Sequence, residues 1–155
     1  MRREPAKGRV AAIFLGFLLL AVGGLDLRAE ETLNKPQWEY RWAASESWTV
    51  HSDPINPPGR SDARVLWLRT TLPDELPVDP ALFVYSIDTA AIFYLGDEVV
   101  YTFPDHEPGE EPRFAGWPWH LIRLTDGSAG EELLVRVYSD YRDIGLWGTV
   151  VLGNR

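Results

Sequence analysis

The sequence contains no cysteine, a single methionine and only two lysines, at positions 7 and 35. The absence of cysteine excludes disulfide bonds, a thiol nucleophile, a cysteine-ligated zinc site and a lipid anchor attached through cysteine. The fold must therefore be held together by its core alone. Long hydrophobic runs are also lacking, since the longest, Val10–Leu25, has 16 residues, whereas a membrane-spanning helix needs about 20.

The first 29 residues have the organisation of a targeting segment. Residues 2–9 carry three arginines and a lysine, and the apolar run 10–25 follows them. Small residues at Gly24 and Ala29 would permit cleavage after either position. We interpret residues 1–29 as a signal helix, which is either a cleaved signal peptide or an uncleaved signal anchor. The chain is then exported to the periplasm or the extracellular space, and residues 10–25 anchor it to the membrane if they are retained.

Residues 30–155 are strongly acidic. They contain 10 Lys and Arg against 21 Asp and Glu, which gives a net charge of −11. This charge repels nucleic acids and anionic lipid surfaces, so no nucleic-acid partner is expected. The same region holds all seven tryptophans and all six tyrosines, which is ample material for the core of one domain.

Short alternating segments dominate residues 30–155, and no helical period is sustained. In Trp38–Trp42 three aromatic residues alternate with Glu39 and Arg41, as in a strand with one buried face. The pair Gly96-Asp97 between two apolar runs predicts a hairpin turn. The pattern predicts an all-β fold, an antiparallel β-sandwich of jelly-roll type over residues 30–155. Eight strands are predicted, at 38–42, 64–72, 81–87, 90–95, 98–103, 119–124, 132–139 and 146–152, with long loops at 45–60 and 104–118.

The order of the motifs resembles that of a known fold family. Residues 64–69 read RVLWLR, residues 91–101 read AIFYLGDEVVY and residues 133–137 read LLVRV. This order resembles the galactose-binding-like jelly roll, in which a Trp-x-Arg strand, a hairpin and a Leu-x-Val-Arg-Val strand follow one another. Together with Gly116–His120 and the segment 136–148, it also resembles the extracytoplasmic sensor domain of bacterial multi-helix membrane signalling proteins.

The resemblance covers residues 38–153 and implies a function in ligand sensing. It implies a module that binds a carbohydrate or another small polar molecule and has a membrane signalling protein as its partner. The hairpin of the family usually carries Asn-Gly where this chain has Gly96-Asp97, and both pairs suit a turn with positive φ. Two alternatives stay open, a stand-alone secreted carbohydrate-binding module and a structural protein-interaction domain whose aromatic residues belong to the core.

The segment Gly116–His120 contains the flat aromatic and polar groups that sugar-binding surfaces use. Trp117, between a glycine and a proline, is expected to be exposed and to contact a ligand. Trp119 is expected to cap the core, because tryptophan is highly buried on average. His120 faces away from Leu121 on the predicted strand and either contacts a ligand or forms a structural hydrogen bond.

Three further residues are candidates for ligand binding. Arg69 lies within a strand, where it could face a polar ligand or belong to a cross-strand ladder of charged and aromatic side chains. Arg142, beside Tyr141, lies in a turn that either reaches a ligand at the end of the sandwich or is an ordinary polar turn. Trp147, near two glycines, either covers a neighbouring strand or stands exposed. Arg123 and Arg136 also lie within strands, and the candidate ladder partners of the three arginines are Glu98, Glu132 and Trp67.

No motif predicts catalysis, a cofactor or a metal. The sequence contains no Gly-x-Ser-x-Gly, no His-Glu-x-x-His and no glycine-rich phosphate loop. The loop 105–111 is acidic, but its spacing fits no defined calcium loop, and prolines at positions 104, 108 and 112 interrupt and flank it. We therefore expect a binding domain rather than an enzyme, with no catalytic residues, no cofactor and no metal ligands.

Overall fold

The structure, a computed structural model, describes residues 31–32 and 38–155. The predicted signal segment 1–29 and its boundary at residue 30 lie outside the described residues. The part that is described contains no helix with the length and hydrophobicity that crossing a bilayer requires.

The described residues form ten strands and one short 3-10 turn at Asp126–Ser128. All eight predicted strands are present, and their ends differ from the prediction by at most two residues. A further strand lies within the predicted loop 45–60, so that part of the loop prediction is wrong. The strand exposes most of its residues, and no alternation of apolar residues reveals it in the sequence. The strands are β1 (Glu31–Thr32), β2 (Trp38–Trp42), β3 (Thr49–His51), β4 (Val65–Thr71), β5 (Pro80–Ile87), β6 (Ala90–Leu95), β7 (Glu98–Phe103), β8 (His120–Arg123), β9 (Glu132–Tyr138) and β10 (Leu146–Asn154).

Two antiparallel sheets pack against each other as a sandwich, which confirms the predicted fold class. The smaller sheet has the order β1-β10-β5-β8, and the larger has the order β3-β2-β4-β9-β6-β7. The predicted hairpin joins β6 to β7, with Leu95 opposite Glu98 and Gly96 at φ +55° in the turn. Such a φ suits glycine because it has no side chain to clash with the backbone.

The core lies between the sheets and follows the alternation of the strands. On β2 the three aromatic side chains point inwards, as predicted, and on β4 Leu66, Leu68 and Thr70 are buried in the same way. The smaller sheet contributes Leu82 and Val84 from β5. Each fully buried side chain of this size stabilises the fold by about 1.5–3 kcal/mol.

Three connections meet beside β5 and β10. Asp88 and Thr89 lead from β5 in the smaller sheet to β6 in the larger one. Residues 139–145 cross between the sheets from β9 to β10, and residues 104–119 cross from β7 to β8. Their side chains surround one cleft, so the crossing points of the sandwich place distant segments of the sequence together.

Candidate functional site

A cleft with a volume of about 570 Å³ opens beside β5 and β10. This volume lies within the range of about 300–1,000 Å³ that is usual for small-molecule sites. Six aromatic side chains form most of its lining, and three polar side chains complete it. The aromatic residues are Tyr85, Phe114, Trp117, Trp119, Tyr141 and Trp147, and the polar residues are Ser86, Asp88 and Asp143.

Two tryptophans of the cleft are largely exposed to solvent. Trp117 is 69% exposed, which confirms its predicted exposure. Trp119 is 72% exposed, so the prediction that it caps the core is wrong. The reason is the alternation of side chains along β8. Because His120 points inwards, the residue before it points outwards. The edge of the Trp119 ring packs against Phe83 on the outer face of the smaller sheet, with centroids 6.2 Å apart.

The rings on the two loops support one another. Phe114 packs edge-on against Trp117, with centroids 4.9 Å apart, and against Tyr141, with centroids 5.9 Å apart. Phe114 and Trp117 lie on the loop 104–119, whereas Tyr141 lies on the loop 139–145. These contacts join the two loops, and edge-to-face pairs of this kind contribute about 0.5–1.5 kcal/mol beyond their buried area.

Tyr85 stands on the outer face of β5 and lies directly against the backbone of Gly148 on β10. A Cβ atom at residue 148 would lie 2.9 Å from the tyrosine side chain, and the residue has φ +72°. Both features favour glycine, because any other residue would be strained and would displace the ring. Gly148 therefore sets the position of one wall of the cleft.

The floor of the cleft is polar and buried. Ser86 is 5% exposed and Asp88 is 8% exposed. Among the described residues, neither the Ser86 Oγ nor the Asp88 Oδ2 has a hydrogen-bond partner. Buried polar atoms are paired in most proteins, because leaving one unpaired costs about 1–3 kcal/mol. A ligand with hydrogen-bond donors would therefore supply the partners that these two oxygens lack.

Burial also changes the acidity of Asp88, raising its pKa from 3.8 to about 6. The nearby negative charge of Asp143 acts in the same direction. A side-chain hydrogen bond from Trp147 and the positive charge of Arg60 act in the opposite direction but are outweighed. The floor of the cleft thus carries a carboxyl group that titrates near neutral pH.

The loop 139–145 is held in place by two residues from the segment before β4. The guanidinium of Arg60 donates to the carbonyl oxygens of Ser139, at 3.0 Å, and of Arg142. The side chain of Asn56 donates to the Asp143 Oδ1 at 2.9 Å and accepts from the backbone N–H of Ile144 at 2.8 Å. These bonds fix Asp143 at the cleft before any ligand arrives.

His120 does not reach the cleft. It is 2% exposed and shares a hydrogen bond of 2.8 Å between its Nδ1 and the Tyr101 hydroxyl. Its ring also packs against Phe103, with centroids 4.6 Å apart. This is the structural hydrogen bond that the sequence left open as the alternative to ligand contact. The burial lowers the pKa of His120.

Arg69 lies on the other sheet, away from the cleft. It pairs with Glu39 at 2.5 Å and with Glu132 at 3.4 Å, and its guanidinium lies 4.4 Å from the ring centroid of Trp48. Arg69 therefore belongs to a cross-strand ladder of charged and aromatic side chains, which was one of its two predicted roles. Of the partners expected for the three arginines, Glu132 pairs with Arg69, and Glu39 and Trp48 also contact it.

Arg142 and Trp147 have different positions. Trp147 lines the cleft. Arg142 borders a separate hollow on the other side of Tyr141, together with Arg60 and Asp140. Of the five predicted ligand-binding residues, the structure brings together Trp117 and Trp147, and it places Arg142, His120 and Arg69 elsewhere.

Several cleft residues were not predicted from the sequence. Tyr85 and Ser86 lie within a strand that reads as ordinary core, and Asp88 reads as part of a turn. One signal was available: Asp88 is the one charged residue in the segment 81–95. The described residues contain no group of three or more His, Asp or Glu side chains that could hold a metal ion together.

Comparison with protein-family models and with curated proteins finds no match. Comparison with solved structures finds similar folds in glycoside hydrolases. A β-glucuronidase from Ruminococcus gnavus superposes with a TM-score of 0.56 and 12% identity, over 80% of this chain and 28% of that one. An FMN-binding β-glucuronidase from Faecalibacterium prausnitzii gives 0.57 and 18%, over 80% of this chain and 22% of that one. A glycosyl hydrolase family 2 member from Bacteroides cellulosilyticus gives 0.53 and 14%, over 79% of this chain and 20% of that one.

These similarities are similarities of fold. The chain spans between 20% and 28% of the length of these three solved chains, so it corresponds to one part of each. At identities of 12–18%, their activities do not transfer to this chain. What the comparison supports is the fold, an antiparallel β-sandwich.

Proposed function

We propose that this chain is a carbohydrate-binding β-sandwich module whose site is the aromatic cleft beside β5 and β10. One observation carries the proposal: six aromatic side chains line an open cleft whose floor holds two buried oxygens without partners. A folded domain rarely leaves such a surface uncovered unless it binds something.

The chemistry of the cleft fits a saccharide. A sugar ring has apolar C–H faces that pack on flat aromatic rings, and hydroxyl groups that need hydrogen-bond partners. Trp117 and Trp119 offer exposed ring faces, while Ser86 and Asp143 offer oxygens. Binding sites of this size combine apolar walls with a few polar groups that fix orientation. The similar folds found in glycoside hydrolases support the same class of ligand.

We propose binding rather than catalysis. A general acid must come within about 3 Å of the oxygen that it protonates. Asp88 has the raised pKa of such an acid, but it belongs to no recognised catalytic motif of the sequence. The test is prolonged incubation with oligosaccharides, followed by measurement of new reducing ends. Turnover that disappears in Asp88→Asn would contradict the proposal and indicate a hydrolase.

The binding proposal is tested by titrating the protein with neutral, amino and acidic oligosaccharides while tryptophan fluorescence and heat are recorded. Trp117→Ala and Trp119→Ala are expected to weaken binding roughly tenfold or more, which corresponds to about 1.4 kcal/mol. Trp48→Ala is the matched control, because this tryptophan stacks with Arg41 and Arg69 on the larger sheet. A flat titration across the whole panel would reject carbohydrate binding and favour a protein-interaction surface.

The finer proposal is a sensor domain of a membrane signalling protein, exported from the cytoplasm. Its support is the basic and apolar segment 2–25 and the order of motifs over residues 38–153. A tagged chain should then be recovered outside the cytoplasm, and deletion of residues 2–25 should retain it inside. Recovery of the intact chain in the cytoplasm would contradict both the sensor role and the predicted localisation.

A further inference from the structure

We infer that the cleft prefers saccharides that carry an ammonium group, that is amino sugars, over neutral and acidic sugars. The inference rests on the proposed function and specifies its ligand class. It is carried by the charges that line the cleft, by the aromatic rings around them and by the position of Asp143.

The charged groups of the cleft have one sign. Asp88 and Asp143 line it, and no lysine or arginine within the described residues does so. Arg60 is close enough to lower the pKa of Asp88, but it does not line the cleft. Its guanidinium spends three of its five N–H donors on the backbone carbonyls of Ala63, Ser139 and Arg142. Arg60 therefore positions the loop, and both charged side chains that line the cleft are acidic.

The aromatic walls favour the same charge. The face of an aromatic ring attracts a cation within about 6 Å, and tryptophan does so most strongly. Trp117, Trp119 and Trp147 all line this cleft, with Tyr85 and Tyr141 beside them. The aromatic rings alone would bind the apolar face of any sugar. The carboxylates alone would be an ordinary hydrated surface without a preferred ligand. Together they form an environment that stabilises an ammonium group and repels a uronate.

Asp143 is placed to make the direct contact. Asn56 binds its Oδ1 at 2.9 Å, and no hydrogen bond within the described residues engages the other oxygen. The side chain is partly exposed at the cleft, whereas Asp88 lies buried at the floor. An ammonium group at Asp143 would also neutralise the repulsion that Asp143 exerts on Asp88. A neutral sugar would leave both carboxylates without a counter-charge.

The experiment compares three matched trisaccharides, of glucosamine, of N-acetylglucosamine and of a uronic acid, by calorimetry at about pH 6.5. We expect the glucosamine trimer to bind at least tenfold more tightly than its acetylated form, and the uronic acid trimer to bind most weakly. Added salt should weaken the binding of the glucosamine trimer alone. Asp143→Asn should remove most of the preference, whereas Asp140→Asn on the same loop, which does not line the cleft, should retain it.

The outcomes separate this inference from the proposed function. Equal affinities for the glucosamine and N-acetylglucosamine trimers would overturn the preference and leave carbohydrate binding intact. Failure of all three trimers to bind would reject both. Tetramethylammonium is included as a cation without a sugar, and if it binds as tightly as the glucosamine trimer, amino-sugar recognition is overturned.

Discussion

Trp147, at the beginning of β10, lies directly opposite Ser86 of β5 in the antiparallel pairing of the two strands. Both residues line the cleft, and Asp88 follows one residue after the end of β5. One pair of neighbouring strands therefore supplies an aromatic wall of the cleft and leads into its buried, polar floor.

The first prediction concerns Asp88 and stability. Its pKa is 3.8 when exposed and about 6 in the folded chain, so the folded state holds its proton more tightly than the unfolded state. The stabilising effect of this proton is complete below pH 3.8 and is lost as the pH rises through about 6. The stability of Asp88→Asn relative to the wild type should therefore increase by up to about 3 kcal/mol when the pH is raised from about 4 to about 7.5.

The measurement is urea unfolding of both proteins at these two pH values. Asp140→Asn is the control for the loss of one charge, because Asp140 is exposed on the same loop. A difference between wild type and Asp88→Asn that does not change with pH would contradict the assignment.

The second prediction concerns His120, whose pKa is lowered by burial. The unfolded chain then takes up the proton first as the pH falls, so the wild type should lose stability below about pH 6.5. His120→Phe should lack this loss, although it leaves the Tyr101 hydroxyl without its partner at a cost that does not depend on pH. Thermal unfolding at several pH values measures the difference. His51→Phe, at a partly exposed histidine, is the control, and an equal pH response in both variants would argue against burial as the cause.

The third prediction tests how Gly148 shapes the cleft. Gly148→Ala places a Cβ 2.9 Å from the Tyr85 side chain, at φ +72°. We expect a loss of about 1–3 kcal/mol in stability from the strained backbone and a clear loss of saccharide affinity from the displaced ring. Gly109→Ala is the control, since Gly109 also has positive φ, at +100°, but nothing lies within 4 Å of the added atom. It should lose stability and keep its affinity, and equal affinity losses would count against a role for Tyr85.

The fourth prediction tests whether Asn56 preorganises Asp143. Glycine tolerates the φ of +44° at position 56. The Asn56→Gly variant loses the side-chain hydrogen bonds to Asp143 and to the N–H of Ile144. Because the N–H of a fully buried residue loses its partner, we expect about 1–3 kcal/mol lower stability. Hydrogen exchange at the Ile144 amide should be faster, and saccharide affinity should fall. Unchanged exchange at this amide would show that other contacts hold the loop.

The fold was largely predictable because it depends on local patterns. The alternation in Trp38–Trp42 predicted both the strand and its buried face, and Gly96-Asp97 predicted the turn at its observed place. Each of these features involves neighbours in the sequence, whose side chains must alternate across a strand. The edge strand β3 escaped prediction, because an exposed strand with one neighbour needs no hydrophobic pattern.

The candidate site was only partly predictable. Trp117 and Trp147 were identified from their glycine and proline neighbours, whereas Trp119 was wrongly assigned to the core. Whether Trp119 points inwards or outwards depends on which alternate residues of β8 face the core, and the structure buries His120 and Ile122. A shift of one residue in the pairing of a strand reverses the face of every side chain, and the mixed sequence His120–Arg123 does not show which set is buried.

Composition and alternation alone thus determined the class of fold, the hairpin turn, the core residues of the central strands and the absence of disulfide bonds. The assembly of the cleft was decided by packing. Residues 88, 117 and 143 meet because the chain crosses between the sheets at Asp88, at residues 104–119 and at residues 139–145. Contacts between segments so far apart depend on sheet order and on how the two sheets pack, and short-range periodicity carries no information about either.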